Sequence, residues 1–128
     1  AHAISEIHKK MKVALVSSSP ARIVELVIEK AGIAKELDFI LSGDDVVKGK
    51  PDPEPFLTAA KRLGVEPAKC VVVEDSLNGI IAAKRAGMKC IAVATSFKKE
   101  ELLVKSPDLI IKDISELLNA IRMLKQLS

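Results

Sequence analysis

Short apolar runs alternate along the chain with longer segments in which apolar residues recur every three or four positions. This alternation is typical of repeated strand, helix, strand units, in which helices cover a parallel sheet. We therefore expect an α/β fold of three layers, α/β/α, around a mostly parallel sheet. The runs that predict its strands are "KVALVS" (12–17), "FILS" (39–42), "CVVVE" (70–74), "CIAVAT" (90–95) and "LII" (109–111).

The segments between these runs carry start and stop signals for helices. Ser19 is placed to cap a helix over 20–31, which begins with a proline and is followed by a glycine. Asp52 is placed to cap a second helix over 53–63, with the same punctuation. A third helix is predicted over 76–86.

Both ends of the chain also predict helices. The letters "DISE" at 113–116 form a capping-box pattern ahead of a final amphipathic helix, which we expect to pack on the sheet and not on a membrane. The apolar stripe of this helix is predicted to consist of Ile114, Leu117, Leu118, Ile121 and Leu124. The opening residues place Ile4, Ile7 and Met11 on one helical face.

The composition fits this fold. Of the 128 residues, 48% are apolar, and the three aromatic residues are all Phe, so Val, Ile, Leu and Ala must build the core, as they do in covered parallel sheets. A chain of this length is expected to form a single domain over 1–128. No apolar run approaches the roughly 18 residues of a membrane span, and we expect a cytoplasmic protein.

Charge and cysteines exclude several classes of function. The net charge of +3 arises from basic residues scattered among acids, without the basic block or interleaved aromatics of a nucleic-acid-binding protein. Neither nucleic acid nor a membrane is therefore an expected partner. Cys70 and Cys90 each begin a β-branched run, where a thiol behaves as a small hydrophobe, and their spacing matches no zinc site.

Polar residues follow three of the predicted strands, where ligands bind in parallel α/β sheets. Ser17, Ser18 and Ser19 follow the first strand, and three hydroxyls exceed what helix capping needs, although capping explains one of them. Lys50 lies in the loop after the second strand. A lysine there is either a solvated surface residue or a cation that holds a carboxylate and a phosphate together.

Glu74 and Asp75 end the third strand as two adjacent acids, which would repel each other and lose hydration at a buried strand end. A divalent cation satisfies both, and Mg²⁺ prefers one or two carboxylates together with waters and a substrate phosphate. Ser76 or Asp75 can also cap the following helix. Asn78 and Gly79 are expected to shape the loop, Gly79 by letting the helix lie close to the sheet.

The stretches "VALVSSSP", "GKPDPEPFLTAAKRLGVEPAKCVVVEDSLNGIIAAKRAGM" and "KCIAVAT" strongly resemble the haloacid dehalogenase superfamily, in its branch of Mg²⁺-dependent phosphatases and β-phosphoglucomutase-like enzymes. The resemblance implies a Rossmann-like fold. It also implies that Ser17, assisted by Ser18, binds the transferring phosphoryl group and that Lys50 neutralises it, so that Ser17 and Lys50 are the expected catalytic residues. Asp75 would be the main Mg²⁺ ligand, helped by Glu74.

One part of the family pattern is absent from the sequence. The family's first motif is a strand ending in D-x-D, which supplies the nucleophilic aspartate, and neither the pair Asp44 and Asp45 nor the pair Asp52 and Glu54 has the required form. The absent segment would also contain the central strand, between the first and third strands found here, and the cap. We therefore expect a break in the sheet. We also expect that residues 1–128 are the C-terminal portion of a longer enzyme's core domain, completed by an N-terminal segment or another chain.

These expectations lead to one function and three alternatives. The parent protein is expected to be a Mg²⁺-dependent phosphohydrolase that acts on a small phosphorylated metabolite through a phosphoaspartate intermediate. A sugar-phosphate mutase is the nearest alternative. A truncated, non-catalytic domain that binds phosphate or a partner is the second. A receiver-type signalling domain shares the architecture but requires a phosphorylatable aspartate at a central strand end.

Overall fold

The computed structural model describes residues 2–126, which form six helices and five strands in alternating order. Every predicted strand is present, shortened by up to three residues, whereas helix α5 was not predicted because its few residues are mostly charged. The elements are α1 His2–His8, β1 Ala14–Val16, α2 Ala21–Ala31, β2 Phe39–Leu41, α3 Glu54–Leu63, β3 Val71–Glu74, α4 Leu77–Arg85, β4 Lys89–Val93, α5 Lys99–Leu103, β5 Leu109–Ile111 and α6 Leu117–Gln126.

The strands are all parallel and form two separate pieces of sheet. The two-stranded sheet pairs β1 with β2, with Leu15 opposite Ile40. The three-stranded sheet has the order β3-β4-β5, and places Ile91 opposite both Val73 and Leu109. Among the described residues no strand joins β1 to β3. The break predicted at the position of the central strand is therefore confirmed.

Helices cover both faces of the three-stranded sheet because its side chains alternate between two apolar clusters. On one face Cys90 and Ala92 of β4 pack with residues of α3, α4 and α5, among them Phe56, Ile80 and Leu102. On the other face Ile91 and Val93 pack with α1 and α6. The three-layer α/β/α architecture follows from this alternation. A smaller cluster joins Val24 and Ile28 of α2 to Ile33.

The caps predicted for α2 and α3 have different outcomes. The expected cap of α2 by Ser19 is wrong: α2 begins one residue later than predicted, its N-cap is Pro20, and the N–H of Ala21 donates to Asp44 Oδ2 at 2.8 Å. A more distant carboxylate takes the place of the local hydroxyl. Asp52 acts as predicted, since its Oδ1 accepts the N–H of Glu54 at 2.9 Å in the first turn of α3.

The caps of α4 and α6 form as predicted. Ser76 Oγ accepts the N–H of Gly79 at 3.0 Å at the start of α4. Asp113 accepts the N–H of Ser115 at 2.8 Å, and Glu116 accepts the N–H of Asp113 at 3.0 Å. The predicted stripe of α6 is wrong in one member, because Ile114 lies in the capping turn and is exposed. The buried members of the predicted stripe are Leu117, Ile121 and Leu124.

Candidate active site

An open cleft of about 1180 Å³ lies between β1 and β3, at the carboxyl ends of the strands. The cleft occupies the break between the two pieces of sheet, where following loops and helix N-termini converge. Gly79 lies outside the cleft lining, although it was predicted with the others. The predicted site residues that line the cleft are Ser17, Ser18, Lys50, Glu74, Asp75, Ser76 and Asn78.

Lys50 is a largely buried cation, not a solvated surface lysine. Its side chain is 10% exposed, and its Nζ donates to Glu74 Oε2 at 2.8 Å and to the carbonyl oxygen of Val16 at 3.3 Å. The Nζ also lies 5.1 Å from the centre of the Phe56 ring, within the range of a cation–π contact. One ammonium therefore bonds to the carboxyl ends of both β1 and β3.

Glu74 is held in place by several donors. Its Oε1 accepts the Ser76 hydroxyl at 3.0 Å and the Asp75 N–H at 3.3 Å, while Oε2 accepts Lys50. A Cβ atom added at Gly79 would overlap the Glu74 carboxylate, so glycine is required there to leave space for that group. The small residue thus accommodates the Glu74 side chain rather than the strand backbone.

Asp75 differs from its neighbour because it is exposed to the cleft. Its Oδ2 accepts only a long bond from the Ser96 hydroxyl at 3.5 Å, and within residues 2–126 no cation pairs with it. The two adjacent acids therefore avoid mutual repulsion in different ways. Glu74 is neutralised by an ammonium, and Asp75 remains hydrated and open to a ligand.

The chemistry of the open Asp75 carboxylate suits a divalent cation. The described residues contain no cluster of three His, Cys, Asp or Glu side chains able to hold a metal ion. Mg²⁺ does not require one, since it binds one or two carboxylates and completes its shell with waters and substrate oxygens. The open Asp75 carboxylate, with Glu74 beside it, fits that share of the donor set.

The serine loop forms the opposite side of the cleft. The Ser17 N–H donates to the carbonyl oxygen of Leu41 at 2.9 Å, which extends the β1–β2 ladder, and Ser17 Oγ accepts the Ser19 N–H at 3.1 Å. Ser17, Ser18 and Lys50 also border a smaller cavity of about 140 Å³ beside the cleft. Hydroxyls and a cation at the start of a helix are groups that bind phosphate oxygens.

The acids considered for the first motif all bond to backbone N–H groups. Asp44 and Asp52 receive bonds from the first turns of α2 and α3, and Asp45 Oδ2 accepts the Ser42 N–H at 2.8 Å. Glu54 accepts the N–H groups of two residues just before Lys50 in its loop, at 3.2 and 3.3 Å. These hydrogen bonds give the four acids structural roles, which account for their spacing in the sequence. The role of Asp52 was predicted. Sequence reasoning missed the capping box of Ser42 and Asp45, which has the usual local offset, and it missed the bonds of Asp44 and Glu54 because their partners lie in other segments.

The thiols are inert in this arrangement. Burial, helped by the negative charges of Glu74 and Asp108, raises the pKa of Cys90 to about 12, so this thiol stays protonated. Burial also raises the pKa of Cys70. Both cysteines are free, as the sequence predicted.

The helices of residues 2–126 are all too short or too polar to cross a bilayer.

Comparison with known proteins gives a consistent family. The family model for haloacid dehalogenase-like hydrolases matches residues 1–87. Validoxylamine A 7'-phosphate phosphatase of Streptomyces hygroscopicus subsp. limoneus is 38% identical over 107 residues, which are 84% of this chain and 49% of that protein. Phosphoglycolate phosphatase of Escherichia coli strain K12 is 35% identical over 114 residues, which are 88% of this chain and 45% of that protein.

The fold gives the same result. A crystal structure of β-phosphoglucomutase from Clostridium difficile superposes with a TM-score of 0.80 at 29% identity, covering 95% of this chain and 52% of that one. The chain spans about half the length of these proteins. The match excludes the receiver-type alternative and confirms the resemblance to phosphatases and β-phosphoglucomutase-like proteins. This chain belongs to the haloacid dehalogenase-like hydrolase family.

Proposed function

We propose that this chain is the binding half of the active site of a Mg²⁺-dependent phosphohydrolase that acts on a small phosphorylated metabolite. The observation that carries the proposal is the position of Lys50. Its side chain is 10% exposed and lies at a cleft with the Ser17 hydroxyl, and its ammonium bonds to the Glu74 carboxylate at 2.8 Å. A buried cation that faces such a cleft is suited to a phosphoryl group.

The residues of the chain act on the bound phosphate by charge and hydrogen bonding. The Ser17 hydroxyl donates to a phosphoryl oxygen, helped by Ser18, and Lys50 opposes the negative charge on the equatorial oxygens. Asp75, with Glu74 beside it, holds Mg²⁺. The metal, when bound, supplies electrophilic stabilisation of phosphoryl oxygens and leaving group.

The nucleophile comes from outside these 128 residues. The break between β1 and β3 lies directly beside Lys50, and the chain spans only about half of its relatives, which supports a strand inserted there with an aspartate at its carboxyl end. That carboxylate attacks phosphorus and displaces the alcohol oxygen of the substrate, and water then hydrolyses the acyl phosphate. The 128 residues alone are expected to bind phosphate without turning over a substrate.

A sugar-phosphate mutase remains a second candidate because of the likeness to the Clostridium difficile β-phosphoglucomutase. The same half-site serves both reactions. They differ in whether the phosphoenzyme transfers its group to water or to a second hydroxyl of the sugar phosphate. Product analysis of the parent protein with sugar monophosphates separates them, since a hydrolase releases inorganic phosphate and a mutase yields an isomeric sugar phosphate.

The test is the change Asp75→Asn in the parent protein. We expect Mg²⁺-dependent phosphate release to fall by about three orders of magnitude or more, because the open carboxylate that holds the metal is lost. Asp113→Asn is the matched control, since Asp113 lines the same cleft but its carboxylate accepts a backbone N–H instead. Undiminished release with Asp75→Asn, or no release by the unaltered protein from any phosphate monoester, would overturn the proposal.

A further inference from the structure

The turn that follows β2 makes contacts that the proposed phosphohydrolase reaction does not require. We define the Ser42–Asp45 turn by its four residues. Ser42 is 2% exposed, and its N–H and hydroxyl both donate to Asp45 Oδ2, at 2.8 and 3.1 Å. Ser42 Oγ accepts the N–H of Asp44 at 3.2 Å. The N–H of Asp45 also donates to the carbonyl oxygen of Ser42 at 3.1 Å, so four hydrogen bonds close the turn on itself and it behaves as a rigid unit.

This turn grips the serine loop that follows β1. The N–H of Gly43 donates to the carbonyl oxygen of Ser19 at 2.7 Å, and Asp44 Oδ2 accepts the N–H of Ala21 at 2.8 Å. A Cβ atom at Gly43 would overlap the carbonyl oxygen of Ser18, so the two backbones lie in direct contact. The Ser42–Asp45 turn therefore holds the serine loop at its middle and at its end.

Asp44 supplies the side-chain cap that the start of α2 lacks. The N-cap of α2 is Pro20, which makes no side-chain cap bond, and the Ser19 N–H bonds to Ser17 Oγ, leaving the end of the loop to be fixed from elsewhere. The Asp44 carboxylate is bound to the first N–H of the helix, where the helix dipole favours a negative charge. The end of the serine loop is thus anchored by a residue that is 23 positions from Ala21.

We propose that Asp44 is a positioning residue for phosphate binding: through Ala21 it fixes the serine loop so that Ser17 and Ser18 face the anion. The inference rests on the proposed function, but it concerns the position of the serine loop. Asp44 does not line the cleft, and its substitution acts on phosphate affinity only through the loop.

The chain contains a matched control at the opposite end of the same strand pair. Asp38 precedes β2 and accepts the N–H of Val13 at 2.7 Å, which is the same kind of bond between the β2 and β1 segments. Asp38 does not line the cleft either. Removing its carboxylate costs a similar hydrogen bond, and also its contact with His8 at 3.2 Å, without touching the serine loop.

The experiment measures inorganic phosphate binding to the parent protein by titration calorimetry. We expect Asp44→Ala to weaken Kd about tenfold, the scale of a lost N-terminal cap. Asp44→Asn keeps an oxygen acceptor and is expected to bind within about threefold of the unaltered protein. Asp38→Ala is expected to bind phosphate as the unaltered protein does. Amide hydrogen exchange of Ala21, with no phosphate present, is expected to accelerate in Asp44→Ala alone.

Each contrary result has its own meaning. An unaltered protein that binds no phosphate overturns the proposed function. Phosphate binding by Asp44→Ala at full affinity, or an equal loss in Asp38→Ala, overturns the positioning role. Unchanged exchange at Ala21 overturns it independently of phosphate. If Asp44→Ala does not fold, Asp44→Ser tests the same contact, because its shorter polar side chain withdraws the acceptor from the Ala21 N–H, and unchanged phosphate affinity there also overturns the inference.

Discussion

The two-stranded and three-stranded sheets differ in how completely their helices bury them. The largest fully buried side chains, Ile80, Cys90, Ile91 and Leu102, all belong to the three-stranded part. By contrast, α2 beside the two-stranded sheet leaves three apolar residues at least 39% exposed, namely Ile23, Leu26 and Val27. Stability is therefore concentrated on one side of the break, because the apolar area removed from water is concentrated there.

The candidate site does not follow this division. Ser17 comes from the two-stranded side and Glu74 from the three-stranded side, and Lys50 bonds to the carboxyl ends of β1 and β3. The distance between the two sheets therefore fixes the geometry of the site, although only one of the sheets has a large core. Substitutions that act on the site, on the core and on the strand ends distinguish these contributions.

The largest effect is expected for Lys50→Ala, which removes an ammonium that bonds to both sheets. Turnover by the parent protein should fall about 10³-fold, because the charge that opposes the phosphoryl oxygens is lost. Lys48→Ala is the control, since Lys48 is an exposed lysine of the same loop. Steady-state kinetics measures both. A rate unaffected by Lys50→Ala would return Lys50 to the role of a structural lysine.

A smaller effect, on stability, is expected from core truncation. Leu102→Ala in the three-stranded part should lower the free energy of unfolding by about 2–5 kcal/mol, with Ile28→Ala in α2 nearer the lower figure because its cluster is smaller. Leu103→Ala is the control, since Leu103 is 54% exposed beside Leu102. Urea unfolding of the parent protein measures all three. A larger loss for Ile28 than for Leu102 would contradict the comparison.

The smallest effect concerns two aspartates that make the same contact in the two sheets. The Asp38 N–H donates to the carbonyl oxygen of Val13, and the Val13 N–H donates back to the Asp38 carboxylate; Asp108 exchanges the same two bonds with Cys90. The Val13 N–H, and then His8, lower the pKa of Asp38. For Asp108 burial opposes the shift, but the Cys90 N–H and Lys84 outweigh it and lower the pKa.

Because both pKa values are lower in the folded state, each carboxylate stabilises the fold above the ordinary value of 3.8, and the contribution is lost as the pH falls through the folded value. Asp38→Asn and Asp108→Asn should therefore destabilise the protein at pH 7 and leave it unchanged relative to the unaltered protein below that range. Thermal unfolding across pH measures this. A destabilisation that persists undiminished at the acid end would contradict the charge argument.

The fold was largely predictable because its strands are uninterrupted apolar runs and its helices carry local caps. Ser76 and Asp113 cap as their sequence context indicates. The two failures have different causes. The cap predicted for Ser19 is provided by a carboxylate from another loop, and such a long-range partner leaves no local pattern. Ile114 lies outside the stripe because the local capping turn directs it to the cleft.

The site was predictable as a set of residues and not as a set of bonds. Strand ends bring Ser17, Lys50 and the two acids to one cleft, as the rule for parallel sheets predicts. The pairing of Lys50 with Glu74 spans 24 residues and depends on the break in the sheet, so the sequence did not reveal which of two adjacent acids would take the ammonium. Their functional roles remain proposals.

The Lys50–Glu74 pair has an electrostatic consequence for the order in which ligands arrive. Two lysines and three acids are the charged side chains that line the cleft in the described part of the chain, so its lining carries a net charge of −1. A doubly negative phosphate monoester that enters first therefore meets repulsion, with the nearest ammonium already compensated. If Asp75 holds a divalent cation, as proposed, the cation reverses the sign of the lining, and the proposed function then implies ordered binding with the cation ahead of the anion.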